Sequence, residues 1–218
     1  MSAPALVPSP LYGLRTWTVV GERGEERLAG PQQSTPWPEH GGWLTARCAR
    51  DDGHTAPAAW CECGIHAWHP TRRAARRVLA NRGQVPGVIE ASGAIEVHRD
   101  GFRAERARPY ALLVAPRVNA GLAGRLAAAY DAELVRVDGP GAVLDWCRER
   151  GLGLEPAVVD SLLGPERVAA ERRVVRSRRL RLAAALAAIA LLLGAGLIVT
   201  DDPGDRPLFG RGGPANQR

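Results

Sequence analysis

VIEASGAIEVH, residues Val88–His98, alternates apolar and polar side chains. A period of two predicts a half-buried β-strand with one apolar and one polar face. Asp100-Gly101 is a typical two-residue hairpin turn, and Phe102–Arg108 predicts the returning strand. The stretch therefore predicts an antiparallel β-hairpin.

The polar face of this hairpin carries the most enzyme-like group of side chains in the sequence. With Asp100-Gly101 as the loop, His98 pairs with Arg103, and Glu96 pairs with Glu105. Two carboxylates in register repel unless a proton, a cation or an arginine lies between them. These four residues are the candidate catalytic group. The favoured alternative is a solvent-exposed face on which neighbouring arginines neutralise the glutamates.

The residues after the hairpin predict a parallel step. Tyr110–Ala115 (YALLVA) and Glu133–Val137 (ELVRV) predict strands, and Asn119–Ala132 predicts the helix between them, with its first residue as the cap. A strand, a helix and a strand in this order indicate a βαβ unit with parallel pairing. Gly141–Arg150 predicts a further helix. Its Cys147 is expected to be an inert buried thiol, because no base lies beside it in sequence.

The strongest chemical signal lies before the hairpin, where three of the four cysteines fall in a short segment. Cys48, His54, Cys61 and Cys63 have the spacing C-x5-H-x6-C-x-C. Thiolate and imidazole ligands in a set of four suit tetrahedral Zn²⁺, and a loop-rich unit with few core residues gains stability from a metal. We therefore predict a structural zinc site with these four ligands, and His66 is the alternative to His54.

Other interpretations of this segment remain open, namely unliganded thiols, a disulfide, and an iron–sulfur or redox site. The cytoplasmic location predicted below disfavours a disulfide. A catalytic zinc is disfavoured because four ligands close its coordination shell, although an opened site with His66 and His69 stays an alternative. The C-x-C pair needs a tight turn to bring both sulfurs to one ion, and Gly64 favours such a turn.

Two segments together carry a family resemblance. The run C…H…CECGIHA (Cys48–Ala67), followed by GVIEASGAIEVHRDGFRAE (Gly87–Glu105), resembles small uncharacterised proteins of high-GC Gram-positive (actinobacterial) genomes. The resemblance covers residues 11–115. It implies that these residues form one unit, and it implies no activity.

Aromatic and basic side chains set further expectations. Pro70–Arg82 predicts a helix whose face Arg72–Arg77 is basic, either as a solvated surface or as a contact with lipid headgroups.

Most of the six tryptophans lie in the first third of the chain and are expected to form the core of a small β-rich unit. The sharper alternative is a stacking platform for single-stranded nucleic acid. These tryptophans are Trp17, Trp37, Trp43, Trp60 and Trp68.

The chain also contains a long uncharged stretch, LAAALAAIALLLGAGLIV (Leu182–Val199). As a helix it would extend roughly 27 Å, close to the ~30 Å hydrocarbon core of a bilayer. A transmembrane helix is therefore predicted over residues 182–200. The preceding segment 165–181 is rich in arginine, which the positive-inside rule places in the cytoplasm and which would attract anionic lipid headgroups. Its arginines are Arg167, Arg172, Arg173, Arg176, Arg178, Arg179 and Arg181.

Charge and targeting signals agree with this topology. These seven arginines, against two glutamates, account for +5 of the formal net charge of +6. The rest of the chain is near neutral, so a nucleic-acid partner is disfavoured. The first twenty residues lack the basic and apolar regions of a signal peptide, so export of residues 1–181 is not expected.

The sequence thus predicts an α+β protein at the cell membrane with its N-terminal domain in the cytoplasm. The leading hypothesis for its function is a membrane-anchored binding module with a structural zinc site and an unidentified protein or small-molecule partner. The alternative is a membrane-tethered enzyme that uses the Glu/His/Arg face of the hairpin. The predicted parts are a disordered segment 1–10, a Trp-rich β module 11–70, an α/β part with a mixed sheet 71–164, a basic helix 165–181, a transmembrane helix 182–200 and a disordered external tail 201–218.

Overall fold

A computed structural model describes residues 10–31, 35–51, 53–166, 168–169, 185–187 and 189–190. The chain divides into two units after Val168. In the first unit the elements are β1 (Leu11–Val20), β2 (Arg27–Ala29), β3 (Leu44–Thr45), β4 (Ile65–Trp68), α1 (Arg72–Ala80), β5 (Val85–His98), β6 (Gly101–Val114), α2 (Ala120–Ala129), β7 (Glu133–Arg136), α3 (Pro140–Glu149) and α4 (156–166).

The second unit is described only at a few positions. Residues 185–187 and 189–190 are helical, and Leu186 and Ile189 are exposed within this unit. Residues 165–166, 168–169, 185–187 and 189–190 are described; the rest of the predicted basic helix, transmembrane helix and external tail lies outside the described residues. Of the predicted disordered segment 1–10, residues 1–9 also lie outside them. Within the described part of the chain, no helix has both the length and the apolar character that crossing a membrane requires.

The predicted hairpin is present, but its register differs from the expectation. β5 and β6 are joined by the two-residue loop Arg99-Asp100, so His98 pairs with Gly101 and Glu96 pairs with Arg103. The predicted pairs Glu96–Glu105 and His98–Arg103 are therefore wrong. Gly101 belongs to the strand because β4 passes very close to it: a Cβ atom there would overlap the Ala67 carbonyl oxygen. Its lack of a side chain serves this close approach and not the turn.

A β-bulge explains why the predicted alternation fails in the middle of β5. The register with β6 shifts between Ser92 and Ile95, so β5 has one extra residue there. Gly93 has φ +80° at this point, and the Glu105 carboxylate accepts a hydrogen bond from the Ala94 N–H at 2.9 Å. Beyond the bulge, Glu96 pairs with Arg103 and is buried, and its neighbours Ile95 and Val97 are buried as well.

One mixed sheet contains the seven strands of the described residues. β5 pairs with β1 and β6, while β6 pairs along its other side with β4, β3 and β7. β4 also reaches β1 through Leu14 and Trp68. The sheet therefore runs through both of the predicted parts, 11–70 and 71–164.

The βαβ prediction is confirmed. β7 pairs with β6 in parallel, and α2 connects the two strands. The Asn119 side chain caps α2 by accepting a hydrogen bond from the Leu122 N–H at 3.0 Å. An α+β fold with a mixed sheet is thus established for the first unit.

Apolar clusters cover both faces of the sheet. Successive residues of β6 point to opposite faces, and Leu112 and Leu113 accordingly belong to two different clusters. The Leu112 cluster includes Leu126 of α2, whereas the Leu113 cluster includes Val78 of α1 and Val143 of α3. The first unit is therefore held by helices packed on both sides of one sheet.

The tryptophans differ in burial, which the sequence did not indicate. Trp17 and Trp37 are fully buried and meet edge-on with ring centroids 5.5 Å apart, as expected of a core. Trp60 is 67% exposed, so the prediction that it belongs to the core is wrong. It lies in the loop between β3 and β4, which also contains Cys48, Cys61 and Cys63.

Candidate metal centre

The four predicted ligands share the loop that joins β3 to β4. One ligand atom from each of Cys48, His54, Cys61 and Cys63 lies within 4.8 Å of the others. The Cys48 and Cys61 sulfurs are 3.7 Å apart, and His54 Nε2 is 3.2 Å from the Cys63 sulfur. A tetrahedral zinc ion with Zn–S bonds of about 2.3 Å would place two sulfurs about 3.8 Å apart. The four residues could therefore hold a metal ion.

The sulfurs are thiols and do not form disulfides. All four cysteines of the chain are free, and the 3.7 Å between the Cys48 and Cys61 sulfurs is far above the bond length of about 2.05 Å. Cys147 lies apart from the cluster, buried in α3, and burial raises the pKa of its thiol to about 11. This agrees with the predicted inert thiol.

The pKa values of two thiols in the cluster are shifted in opposite directions. The main-chain N–H of Arg50, together with that of Asp51, lowers the pKa of the Cys48 thiol. The Cys63 N–H lowers the pKa of Cys61, but burial and the adjacent Cys48 and Cys63 thiols outweigh it, so that pKa is raised. Neighbouring thiolates repel one another, and a bound metal ion is what allows all of them to ionise together.

Asp51 is a site residue that the sequence analysis did not identify. Its Oδ2 lies 3.4 Å from His54 Nδ1, so the carboxylate is placed to accept the Nδ1 proton and leave Nε2 available for a metal. Carboxylates orient metal-binding histidines in this way in many proteins. The Gly53 N–H and the His54 side chain lower the pKa of Asp51 and favour its ionised form. The spacing of three residues between Asp51 and His54 is the feature of the sequence from which this contact could have been predicted.

Gly64 ends the C-x-C turn in the conformation that favours glycine. Its φ is +118°, and a Cβ atom there would lie 3.1 Å from Arg103 Cβ and 3.2 Å from Pro57 Cβ. A side chain at this position would be strained and crowded. The backbone can therefore turn sharply after Cys63 and enter β4.

The two other histidines of the sequence-based alternatives lie outside this group of four. His66 Nε2 is 3.0 Å from the Glu62 carbonyl oxygen. His69 is buried, with its Nε2 at 2.9 Å from the His98 carbonyl oxygen. The structure thus groups His54, and neither His66 nor His69, with the three sulfurs.

The candidate catalytic group is only partly assembled. Arg103 forms an ion pair with Glu96, and its Nε lies 3.2 Å from His98 Nε2. His98 Nε2 is also 3.8 Å from Glu96 Oε1. Glu105 is separated from them by the bulge, where it binds the Ala94 N–H. The arginine therefore faces Glu96 directly, and no second carboxylate is paired with Glu96 across the hairpin.

The arginines of α1 and of β6 differ in their exposure to solvent. Arg103 is 6% exposed. Arg108 pairs with Glu90 at 2.8 Å and covers the Trp43 ring at 5.0 Å. Arg72, Arg73 and Arg76 on α1 are exposed. Arg103 is therefore too buried to contribute to an exposed basic surface.

Two open cavities lie away from the cysteine cluster. One, of about 480 Å³, is lined by residues that include Arg82 and Arg117. The other, of about 230 Å³, lies beside Glu90 and Arg108. Neither is lined by Glu96, His98 or Arg103.

Comparisons of the chain with protein-family models, with curated proteins and with solved structures give no match. The resemblance to uncharacterised actinobacterial proteins stays a prediction.

Proposed function

We propose that the protein is a single-pass, membrane-anchored binding module whose soluble part contains a structural zinc site. The observation that carries the zinc assignment is the convergence of Cys48, His54, Cys61 and Cys63 within 4.8 Å. Three thiolates and one imidazole suit zinc better than magnesium or calcium, which prefer oxygen ligands. Four protein ligands fill a tetrahedral shell and leave no position for a substrate, so the role is structural.

The composition of the loop supports a stabilising role for the metal. Between β3 and β4, Ala56 is the fully buried apolar residue among those described. A segment with so little apolar burial gains little from the hydrophobic effect. A metal that ties its two ends together would supply the missing stabilisation.

Trp60 supports the assignment as a binding module. It is 67% exposed, and its ring packs against the His54 ring with centroids 4.4 Å apart. A metal bound by His54 would fix this contact and present the indole rigidly to solvent. Exposed, rigid tryptophans are frequent anchors of binding surfaces, so this face would contact the partner.

The membrane assignment rests on the sequence. The uncharged stretch Leu182–Val199 has the length of a bilayer span, and the arginines of 165–181 precede it. In this proposal the N-terminal domain is cytoplasmic, residues 201–218 are outside, and the arginines contact anionic lipid headgroups. The buried state of Arg103 and Glu96 does not favour the enzyme alternative, because the guanidinium is occupied by protein groups.

The test of the zinc assignment is the metal content of the purified full chain, measured beside a Cys61→Ser/Cys63→Ser variant. We expect about one zinc per chain in the wild type and none in the variant. Cys147→Ala removes a cysteine outside the cluster and should keep the zinc. A folded wild-type chain without bound metal would refute the assignment.

The test of the anchor is extraction of cell membranes with alkaline carbonate. We expect the full chain to stay in the membrane pellet, and Leu186→Arg/Ile189→Arg to release it, because two charges in the apolar stretch oppose insertion. Leu134→Arg, a matched change at an exposed leucine of the first unit, should not release it. Release of the wild type would exclude a transmembrane anchor.

The topology is tested separately in intact cells. A cysteine placed near the C-terminus by Gln217→Cys should react with a membrane-impermeant maleimide, whereas Ser2→Cys should react only after lysis. The reverse pattern would place the N-terminal domain outside.

A further inference from the structure

Arg103 joins the metal-binding loop to the central hairpin. It lies on β6 opposite Glu96 of β5, and the two residues are 6% and 7% exposed. The side chain leaves the sheet towards the loop between β3 and β4, where Gly64 leaves room for it: a Cβ atom at Gly64 would lie 3.1 Å from Arg103 Cβ. A charged side chain is rarely buried to this extent unless its hydrogen bonds are met.

The contacts of Arg103 account for all five N–H groups of a guanidinium. Nη1 donates to the Cys61 carbonyl oxygen and, at 3.1 Å, to that of Cys63. Nη2 donates to the Ala58 carbonyl oxygen at 3.4 Å and to the Glu96 carboxylate. Nε donates to His98 Nε2 at 3.2 Å. Three of these acceptors belong to the loop, and two of those three are the main chains of proposed metal ligands.

The shape of the guanidinium matters as much as its charge. Its donors point outwards in one rigid plane, so the Cys61 and Cys63 carbonyls that share Nη1 are fixed relative to each other. Fixing these two peptide groups also fixes the turn between Cys61 and Cys63, and hence the direction in which each sulfur leaves the main chain. A lysine would bring the charge but not this planar fork.

Glu96 and His98 complete the arrangement from the hairpin side. Glu96 supplies the opposite charge that a buried guanidinium needs. His98 accepts at Nε2 from Arg103 Nε, which places its own proton on Nδ1. Three of the four residues that the sequence suggested as an enzyme-like group, namely Glu96, His98 and Arg103, thus form a support beneath the loop.

We propose that Arg103 is the positioning residue of the metal centre, holding the Cys61-x-Cys63 turn through its main-chain carbonyls, with Glu96 holding Arg103. This inference rests on the zinc site proposed above. Changes to groups that support metal ligands weaken metal binding by about 10- to 100-fold. Arg103→Lys should therefore weaken zinc binding by that factor, although residue 103 touches no sulfur in the hydrogen bonds described.

The experiment titrates the full chain with Co²⁺ and Zn²⁺, following the visible bands of thiolate-bound cobalt and measuring zinc affinity by competition with a chelator. For Arg103→Lys we expect altered cobalt bands and the weaker zinc binding, with the far-ultraviolet circular dichroism unchanged. Arg106→Lys is the matched control, because Arg106 lies on the same strand but is exposed. It should bind both ions like the wild type.

The outcomes separate this inference from the zinc site itself. If the wild type binds cobalt and zinc, and Arg103→Lys binds them equally well with the same bands, the positioning role is refuted while the zinc site stands. If the wild type binds neither ion, the zinc site fails and the inference fails with it. Should Arg103→Lys not fold, Glu96→Gln decides, since it preserves the size of the side chain. Weaker zinc binding in Glu96→Gln supports the proposal, and unchanged binding overturns it.

Discussion

The loop between β3 and β4 and the βαβ unit from β6 to β7 are ordered by different means. In the loop, thiols contact an imidazole and each other, and main-chain carbonyls accept hydrogen bonds from one guanidinium. In the βαβ unit, Leu112, Leu126 and Leu113 are buried in apolar clusters on the two faces of the sheet. The first depends on a few directional contacts, and the second on many non-directional ones.

This difference decides how each region should respond to damage. Hydrophobic packing is shared among many neighbours, so a defect in it lowers the stability of the whole unit. A loop held by a few polar groups and a metal can lose its order while the sheet beneath it persists, because opening it exposes little apolar surface. The predictions below test this contrast.

Removal of the proposed zinc ion should have the largest effect, and that effect should be local. Structural zinc contributes on the order of 10 kcal/mol to the folding of small zinc domains at neutral pH. After treatment with a strong chelator, we expect amide hydrogens of residues 53–64 to exchange rapidly. Those of β5 and β6 should stay protected, since they lie in the centre of the sheet. Hydrogen exchange with mass spectrometry measures both regions at once.

Two results would contradict the proposed difference between the loop and the sheet. Loss of protection in β5 and β6 together with the loop would mean that the whole unit depends on the metal. Unchanged protection in the loop would mean that Arg103 and its acceptors suffice without a metal. The Cys61→Ser/Cys63→Ser variant, which cannot bind the ion through the C-x-C pair, should match the chelated wild type.

A cavity in the apolar region should have the next largest effect, and it should be global. Leu126 of α2 is fully buried, so Leu126→Ala should lower the free energy of unfolding by about 2–5 kcal/mol. Leu134→Ala, at a side chain that is 39% exposed, should lower it by less than about 1 kcal/mol. Urea unfolding of the full chain in mild detergent, followed by tryptophan fluorescence, compares the two. Equal losses would contradict the assignment of Leu126 to the core.

Sequence pattern and capping predicted the βαβ unit, but not β4 (Ile65–Trp68) and not the continuity of β6 across Pro109. The βαβ unit was predictable because two short apolar segments, Tyr110–Ala115 and Glu133–Val137, flank a helical segment that Asn119 caps. The hairpin register could not be predicted, because the sequence alone does not tell which structural role Gly93 and Gly101 have. Gly101 follows Asp100 as in a turn, yet its role is close packing against β4, and Gly93 lies in a bulge instead of continuing the strand. These roles depend on neighbours that are distant in sequence.

The candidate metal centre was predictable to a similar degree. Side-chain chemistry and spacing were enough to select Cys48, His54, Cys61 and Cys63, which lie together. Arg103 was selected for a different reason, as part of a possible catalytic face. Its contact with the Cys61 and Cys63 carbonyls joins residues about forty positions apart, and nothing in local sequence indicates such a pairing.

A substitution at Tyr130 should have the smallest of the predicted effects on stability. This residue forms polar contacts within the apolar region. Its hydroxyl accepts from the Leu28 N–H at 2.9 Å and donates to the Trp37 carbonyl at 3.2 Å. Tyr130→Phe leaves both groups without this partner, so we expect a loss of about 1–3 kcal/mol at pH 7. Tyr12→Phe is the control, since that ring is only half-buried, and its loss should be below about 0.5 kcal/mol.

The pH dependence of this loss identifies its cause. Burial raises the pKa of Tyr130 in the folded protein, so the folded state favours the neutral phenol. The contribution of the hydroxyl is complete below the unfolded pKa of about 10 and declines as the pH rises through the folded pKa. The difference between wild type and Tyr130→Phe should therefore narrow above about pH 10. A difference that stays constant to pH 11 would mean that the phenol ionises equally in both states, and it would contradict the raised pKa of Tyr130 in the folded protein.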